Sequence, residues 1–232
     1  MIVFPSVAVG ISVLFAVQLF AQYARRKRLS QLAWGIAMSM FALASLAVAA
    51  GTTGGWDPTL YRIYWLFGAL LNVPYLALGS IALLNRRGPT VLALLAVAAA
   101  TVIALVVVAS SAAHIPEATK QIPRGSVVWG KGTLAAKLPT YLSIPAYVIV
   151  VVLAVATGRS KRLPPVRVRA NWLIAIGATI VAIGGPLARY GRGSVFSVTL
   201  AVGVTVMFLG FRLAGRRAPD RPVPDPHAAE GS

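Results

Sequence analysis

The sequence predicts an all-α, polytopic transmembrane bundle of seven helices, with the N-terminus outside and the C-terminus cytoplasmic. Three observations predict it. The 232 residues are 58% hydrophobic and only 12% charged, about half the charge of a soluble domain, which carries roughly 25%. Mean hydropathy is +0.78. The apolar residues fall into seven runs, each near the roughly 20 residues that cross a hydrocarbon core.

The first span is expected over about Val3–Tyr23. Its positive charges follow the apolar run, as Arg25-Arg26-Lys27-Arg28. A secretory signal would carry them before it, so an uncleaved span is expected. The second span covers about Leu32–Ala50, and Gly51–Gly55 reads as a flexible turn. Asp57-Pro58 is a strong helix start: Asp accepts from free N–H groups, and Pro at the first position loses no hydrogen bond. The third span then runs about Thr59–Leu84 and the fourth, after Asn85–Pro89, about Thr90–Ala112. A link of about 25 residues, His114 to Leu138, follows; Val127-Val128-Trp129 in it suits a membrane interface. Spans five, six and seven are expected over Pro139–Thr157, Ala170–Leu187 and Ser194–Leu213. Residues 1–214 thus form the transmembrane domain. Residues 215–232, rich in Pro and polar side chains, read as a disordered cytoplasmic tail.

Orientation follows from Lys and Arg. With the N-terminus outside, inner links receive four basic residues after the first span, two after the third and five after the fifth, and the C-terminal segment adds four. Fifteen inside against seven outside obeys the positive-inside rule. Trp56, Tyr61, Tyr64 and Trp65 at the outer end of the third span, and Tyr23, Trp34 and Trp172 near inner ends, fit an aromatic belt. The net charge of +17 is therefore a topology signal, and no nucleic-acid partner is expected.

The absences limit the chemistry. The acids are Asp57, Glu117, Asp220, Asp225 and Glu230, all in links, a helix cap or the tail, so a mid-membrane carboxylate relay lacks its parts. His114 and His227 fall on opposite sides by this topology, and there is no cysteine. No metal site, no haem and no other cofactor is expected, and no enzyme activity.

The seven-span, N-out plan resembles that of the rhodopsins. That resemblance implies a retinal Schiff-base lysine in the last span, but the five lysines, at 27, 120, 131, 137 and 161, all lie in links. The plan is also similar to that of the SWEET sugar transporters, which implies two parallel three-helix units joined by a fourth helix. Arg26–Leu29 and Lys161-Arg162-Leu163 end the first and fifth spans alike, and Tyr61-Arg62 and Tyr190-Gly191-Arg192 open the third and seventh. The SWEET Pro-Gln step has no clear copy here. Gly54–Arg62, continuing into Gly68-Ala69-Leu70, resembles uncharacterised bacterial seven-helix membrane proteins, and implies no activity.

The candidate site is a polar face of the third span: Gly68, Asn72, Tyr75 and Gly79, at i, i+4, i+7 and i+11. This face is expected to point into the bundle, with Leu66, Leu70 and Val73 turned more toward lipid or neighbouring apolar surface. Pro74 frees the carbonyl of Leu70. The face either packs or lines a ligand site, joined by Gln18, Gln22, Tyr141, Ser143, Pro145, Tyr147, Thr179, Gly184–Pro186, Ser197 and Thr199. Arg62 either snorkels and pairs with Asp57 or contacts an anion or lipid phosphate.

The function expected is that of a non-catalytic multi-pass protein of the cell (inner or plasma) membrane. It would be a sensor, receptor-like or accessory module binding a lipid, a hydrophobic or small-molecule ligand, or a membrane-protein partner. The alternative is a facilitator of a small neutral solute on a three-plus-one-plus-three plan.

Overall fold

A computed structural model describes residues 3–116, 121–158, 165–188 and 193–215. It is all-helical over these residues. The long helices are α1 (Val3–Arg26), α2 (Leu29–Gly54), α3 (Pro58–Leu83), α4 (Arg87–Ser110), α6 (Leu134–Gly158), α7 (Pro165–Ala188) and α8 (Gly193–Gly215); α5 (Gly125–Val128) is a single turn. Five helices, α1 to α4 and α6, are long and apolar enough to cross a membrane. Within α7 and α8 the described apolar stretches are shorter, Trp172–Val181 and Ala201–Leu213.

The helix ends are set by local chemistry. α1 and α2 are joined through Lys27, whose φ of 51° lies in the left-handed region, so the expected basic linker shrinks to a tight turn and α2 starts three residues early. Asn85, at φ 55°, does the same between α3 and α4; Asn tolerates this backbone better than most residues. Of the expected flexible turn at Gly51–Gly55, Gly51–Gly54 is instead the last turn of α2, and Gly55, at φ 97°, ends it. Thr52 and Thr53 turn their hydroxyls onto the carbonyls of Val48 and Ala49, and the Trp56 ring folds back over Gly51, where a Cβ would collide with it. Asp57 caps α3 as expected, Oδ1 accepting from the amides of Thr59 at 2.8 Å and Leu60 at 3.0 Å. α6 begins five residues before Pro139 because Thr133 caps it, its Oγ1 accepting from the Ala136 amide at 3.3 Å.

α3 departs from α geometry. Trp65–Leu71 is π-helical, between α-helical Pro58–Tyr64 and Asn72–Leu83. Pro74 lies just beyond. It has no N–H for Leu70 in the α pattern or for Ala69 in the π pattern. Ser143 of α6 supplies the missing donor, its Oγ 2.6 Å from the Ala69 carbonyl and 3.4 Å from that of Leu70. The converse holds one turn above: Pro139 of α6 frees the Ala135 carbonyl, and the Trp65 indole of α3 donates to it at 3.1 Å. Each helix thus satisfies a carbonyl that a proline orphans on the other.

Six long helices pack in sequence as a circuit, α1 on α2, α2 on α3, α3 on α6, α6 on α7, α7 on α8 and α8 back on α1. α4 stands outside it, against α3 and α6, and is the least buried of the five spans, α2 the most. Phe15 of α1, Trp34 of α2 and Phe208 and Phe211 of α8 interlock edge to face, with centroids 4.3 to 5.3 Å apart. α7 and α8 meet backbone to backbone: a Cβ on Gly177 would lie 2.5 Å from the Gly203 carbonyl. Small residues at a membrane-helix contact allow this approach.

Candidate functional site

The four positions of the expected polar face do not share one neighbour. Gly68, inside the π turn, abuts Ala44 of α2, and Gly79 abuts Trp34 of the same helix. Tyr75 reaches instead to α4, its hydroxyl 3.3 Å from Thr101 Oγ1. Thr101 spends its own proton on the Val97 carbonyl at 2.7 Å, so Tyr75 is the donor. Asn72 is 5% exposed, and its Oδ1 is buried without a hydrogen-bond partner. On the opposite face Leu66 and Leu70 are buried and Val73 half-buried, against neighbouring apolar surface rather than lipid, because α3 is flanked by α2, α4 and α6. The other lining candidates disperse. Gln22 accepts from Gln31 Nε2 at 3.3 Å, and Tyr147 pairs with Thr179 at 3.0 Å between α6 and α7. Gln18 and Tyr141 are exposed. The side chains of Gly184–Pro186 and Ser197 lie outside the described residues, as does the tail from 216.

At one end aromatic rings of the described residues pack over α3. Trp56, Tyr61, Tyr64, Trp65 and Trp129 form a contact cluster with centroids 5.6 to 6.4 Å apart. These are not belt residues at a lipid interface: Tyr61 is 0% exposed, and Trp56, Trp65 and Trp129 are buried. The reason is the link after α4, which folds back over the bundle end. Tyr61 donates to the Pro123 carbonyl at 3.1 Å, the His114 amide to the Val128 carbonyl at 3.0 Å, and Gly125 leaves room for the Trp65 ring. Of the expected interfacial trio only Val127 is exposed; Val128 and Trp129 are buried. Arg62 neither snorkels free nor pairs with Asp57. Its Nη2 donates to the Ser111 carbonyl at 2.9 Å, where a cation complements the C-terminal dipole of α4. Its Nε is buried and has no partner.

At the other end the helices part around a cavity of about 900 Å³. Its rim carries Arg26, Lys27 and Arg28 from the α1–α2 turn and Arg86 and Arg87 from the α3–α4 turn. No acidic residue is among the described lining residues. The two left-handed residues, Lys27 and Asn85, make both turns tight enough to hold these cations beside one opening. Lys27 Nζ also lies 5.4 Å from the Tyr23 ring centroid. Deeper in, the lining turns apolar, with Val150, Leu153 and Ala154 of α6 and Ile174 of α7. Trp34 completes it, pinned by its indole N–H to the Leu76 carbonyl of α3 at 3.2 Å. Gly79 makes that contact possible, since any side chain there would occupy the indole's place. The hydroxyls of Ser80, Thr90 and Thr157 donate to carbonyls of their own helices, so toward the cavity they offer lone pairs only.

Sequence reasoning missed this cavity. Each basic run, taken alone, satisfied the positive-inside rule, and only the tertiary fold brings the two runs together. No protein-family model matches the chain, and neither a curated protein nor a solved structure is similar to it.

Proposed function

We propose that the chain is a non-catalytic, seven-span binding module of the cell membrane, N-terminus outside and C-terminus cytoplasmic, that takes its ligand at the basic end. In this reading α7 and α8 are the sixth and seventh spans. At 24 and 23 residues and about 1.5 Å per residue, each exceeds the roughly 30 Å of a bilayer core. The distribution of Lys and Arg supports placing the cavity on the cytoplasmic side. The observation that carries the reading is the cavity itself, about 900 Å³ and rimmed, among the described residues, by five cations, at the end of the bundle opposite the aromatic cluster. Pockets of roughly 300–1,000 Å³ with an apolar lining and a few polar groups are what small ligands occupy. A sensor, receptor-like or accessory role follows from binding without catalytic groups.

A second reading, a solute facilitator, is favoured by one observation. α1–α3 and then α6–α8 follow one another round the circuit while α4 stands outside it, which supports a three-plus-one-plus-three plan. The two separate in reconstituted vesicles. A module binds amphiphiles, raising its unfolding temperature, and passes no solute. A facilitator supports counterflow of a solute. Neither binding nor flux would overturn both.

A further inference from the structure

Resting on the reading of the basic-end cavity as a ligand site, we propose that its ligand is a phosphate-bearing anionic lipid, with the headgroup between the two basic turns and an acyl chain against α6 and α7.

Three features of the cavity select this chemistry. The first is charge. Arg26, Lys27, Arg28, Arg86 and Arg87 rim one opening, and the described lining residues include no carboxylate to neutralise them. Four of the five are arginines, whose planar donors fit phosphate oxygens bidentately. A zwitterionic headgroup would bring its own cation into the same rim and lose that advantage. The second is polarity with depth. Behind the rim lie Leu153, Ala154, Val150 and Ile174, which a soluble phosphate ester would leave without contact and a hydrocarbon chain would fill. The third is the state of the hydroxyls. Ser80, Thr90 and Thr157 have committed their protons to helix carbonyls, which leaves the cations, with Ser30 and Asn85, as the side-chain donors to a phosphate. Basic juxtamembrane residues attract any anionic surface, and that attraction is the competing explanation. It would be shared by every basic residue on this face, whereas a built site depends on the rim and on the cavity behind it.

The test uses the full chain in phosphatidylcholine nanodiscs, titrated with dioleoyl phosphatidate and read by native mass spectrometry. One phosphatidate should be retained per protein. Arg26→Gln with Arg86→Gln should weaken retention by about tenfold or more, the effect of losing one or two charge-assisted contacts. The control pair Arg169→Gln with Arg212→Gln removes the same charge away from the described lining and should weaken it less than about threefold. Ala154→Phe, which fills the apolar depth and changes no charge, should also weaken it; a melting curve read by circular dichroism confirms that each variant is folded. An equal loss in the control pair would overturn the site in favour of surface charge. Dioleoylglycerol retained as tightly as phosphatidate would overturn the phosphate assignment and leave the binding module standing. Glycerol phosphate bound as tightly would overturn the lipid assignment in favour of a soluble ester. Retention of no amphiphile of any class would defeat both this inference and the reading beneath it.

Discussion

Replacing Ser143 with Ala removes one hydroxyl, yet its cost should depend on a residue of another helix. The Ser143 hydroxyl is the side-chain donor to the Ala69 carbonyl at 2.6 Å and to the Leu70 carbonyl at 3.4 Å. Pro74 has no N–H to give to Leu70 in the α pattern or to Ala69 in the π pattern. In water an orphaned acceptor would rehydrate; between packed helices it cannot. A buried unsatisfied group costs about 1–3 kcal/mol, while side-chain hydrogen bonds between membrane helices average about 0.6 and reach about 1.7 kcal/mol. The short bond and the donor missing at Pro74 place Ser143→Ala at the upper end, about 1.5 kcal/mol. Pro74→Ala restores an N–H, so Ser143→Ala in that background should cost about 0.5 kcal/mol. The coupling is then about 1 kcal/mol, above the few tenths expected of independent sites. Reversible unfolding of the four proteins in mixed micelles measures it. An identical cost of Ser143→Ala in both backgrounds would refute the claim that the serine substitutes for the proline's missing donor.

Glycine substitutions should divide by neighbour. Gly79→Ala puts a methyl group onto the Trp34 indole and should destabilise by about 1–3 kcal/mol. Gly54→Ala, with nothing within 4 Å of its Cβ, should be neutral or stabilise by up to about 1 kcal/mol in the same assay; reversed effects would contradict the packing of α2 on α3. Asn72→Leu removes a buried Oδ1 that has no partner and should be neutral or mildly stabilising, by up to about 1 kcal/mol. A loss of more than about 2 kcal/mol would show that the amide is hydrogen-bonded after all. Thr133→Ala deletes the cap of α6 and should cost about 1 kcal/mol; no change in unfolding would mean that the cap contributes nothing.

What was legible in the sequence was the backbone's own bookkeeping. The apolar runs marked the long helices, Asp57-Pro58 marked the start of α3, and Pro74 marked Leu70 as a freed carbonyl. Each of these depends on neighbours a few residues away. The answering residues were not legible, because they come from elsewhere. Ser143 looked like one of many small polar residues until α6 lay beside α3, and nothing local distinguishes Trp65–Leu71 as π-helical. The aromatics near Tyr61 were misjudged because their composition suits an interface equally well, and only the returning link with Pro123 and Val128 buries them. The candidate face divides between two neighbours for the same reason: helical periodicity puts Tyr75 and Gly79 together, but the Tyr75 side chain reaches α4 while Gly79 lets α2 approach. The two basic turns showed their charge but not their convergence.

The central proposal is that the cavity at the basic end opens to the cytoplasm while the aromatic cluster at the other end keeps its residues from solvent. The chain has no cysteine, so single cysteines report without background. Ser80 lines the cavity and Gly88 is exposed beside it, whereas Val128 is 0% exposed under the aromatic rings. In inverted vesicles a membrane-impermeant maleimide should label Ser80→Cys and Gly88→Cys, and Val128→Cys should resist it from either side. Ser80→Cys that labels only from the outer face, or stays unlabelled while Gly88→Cys reacts, would contradict the claim.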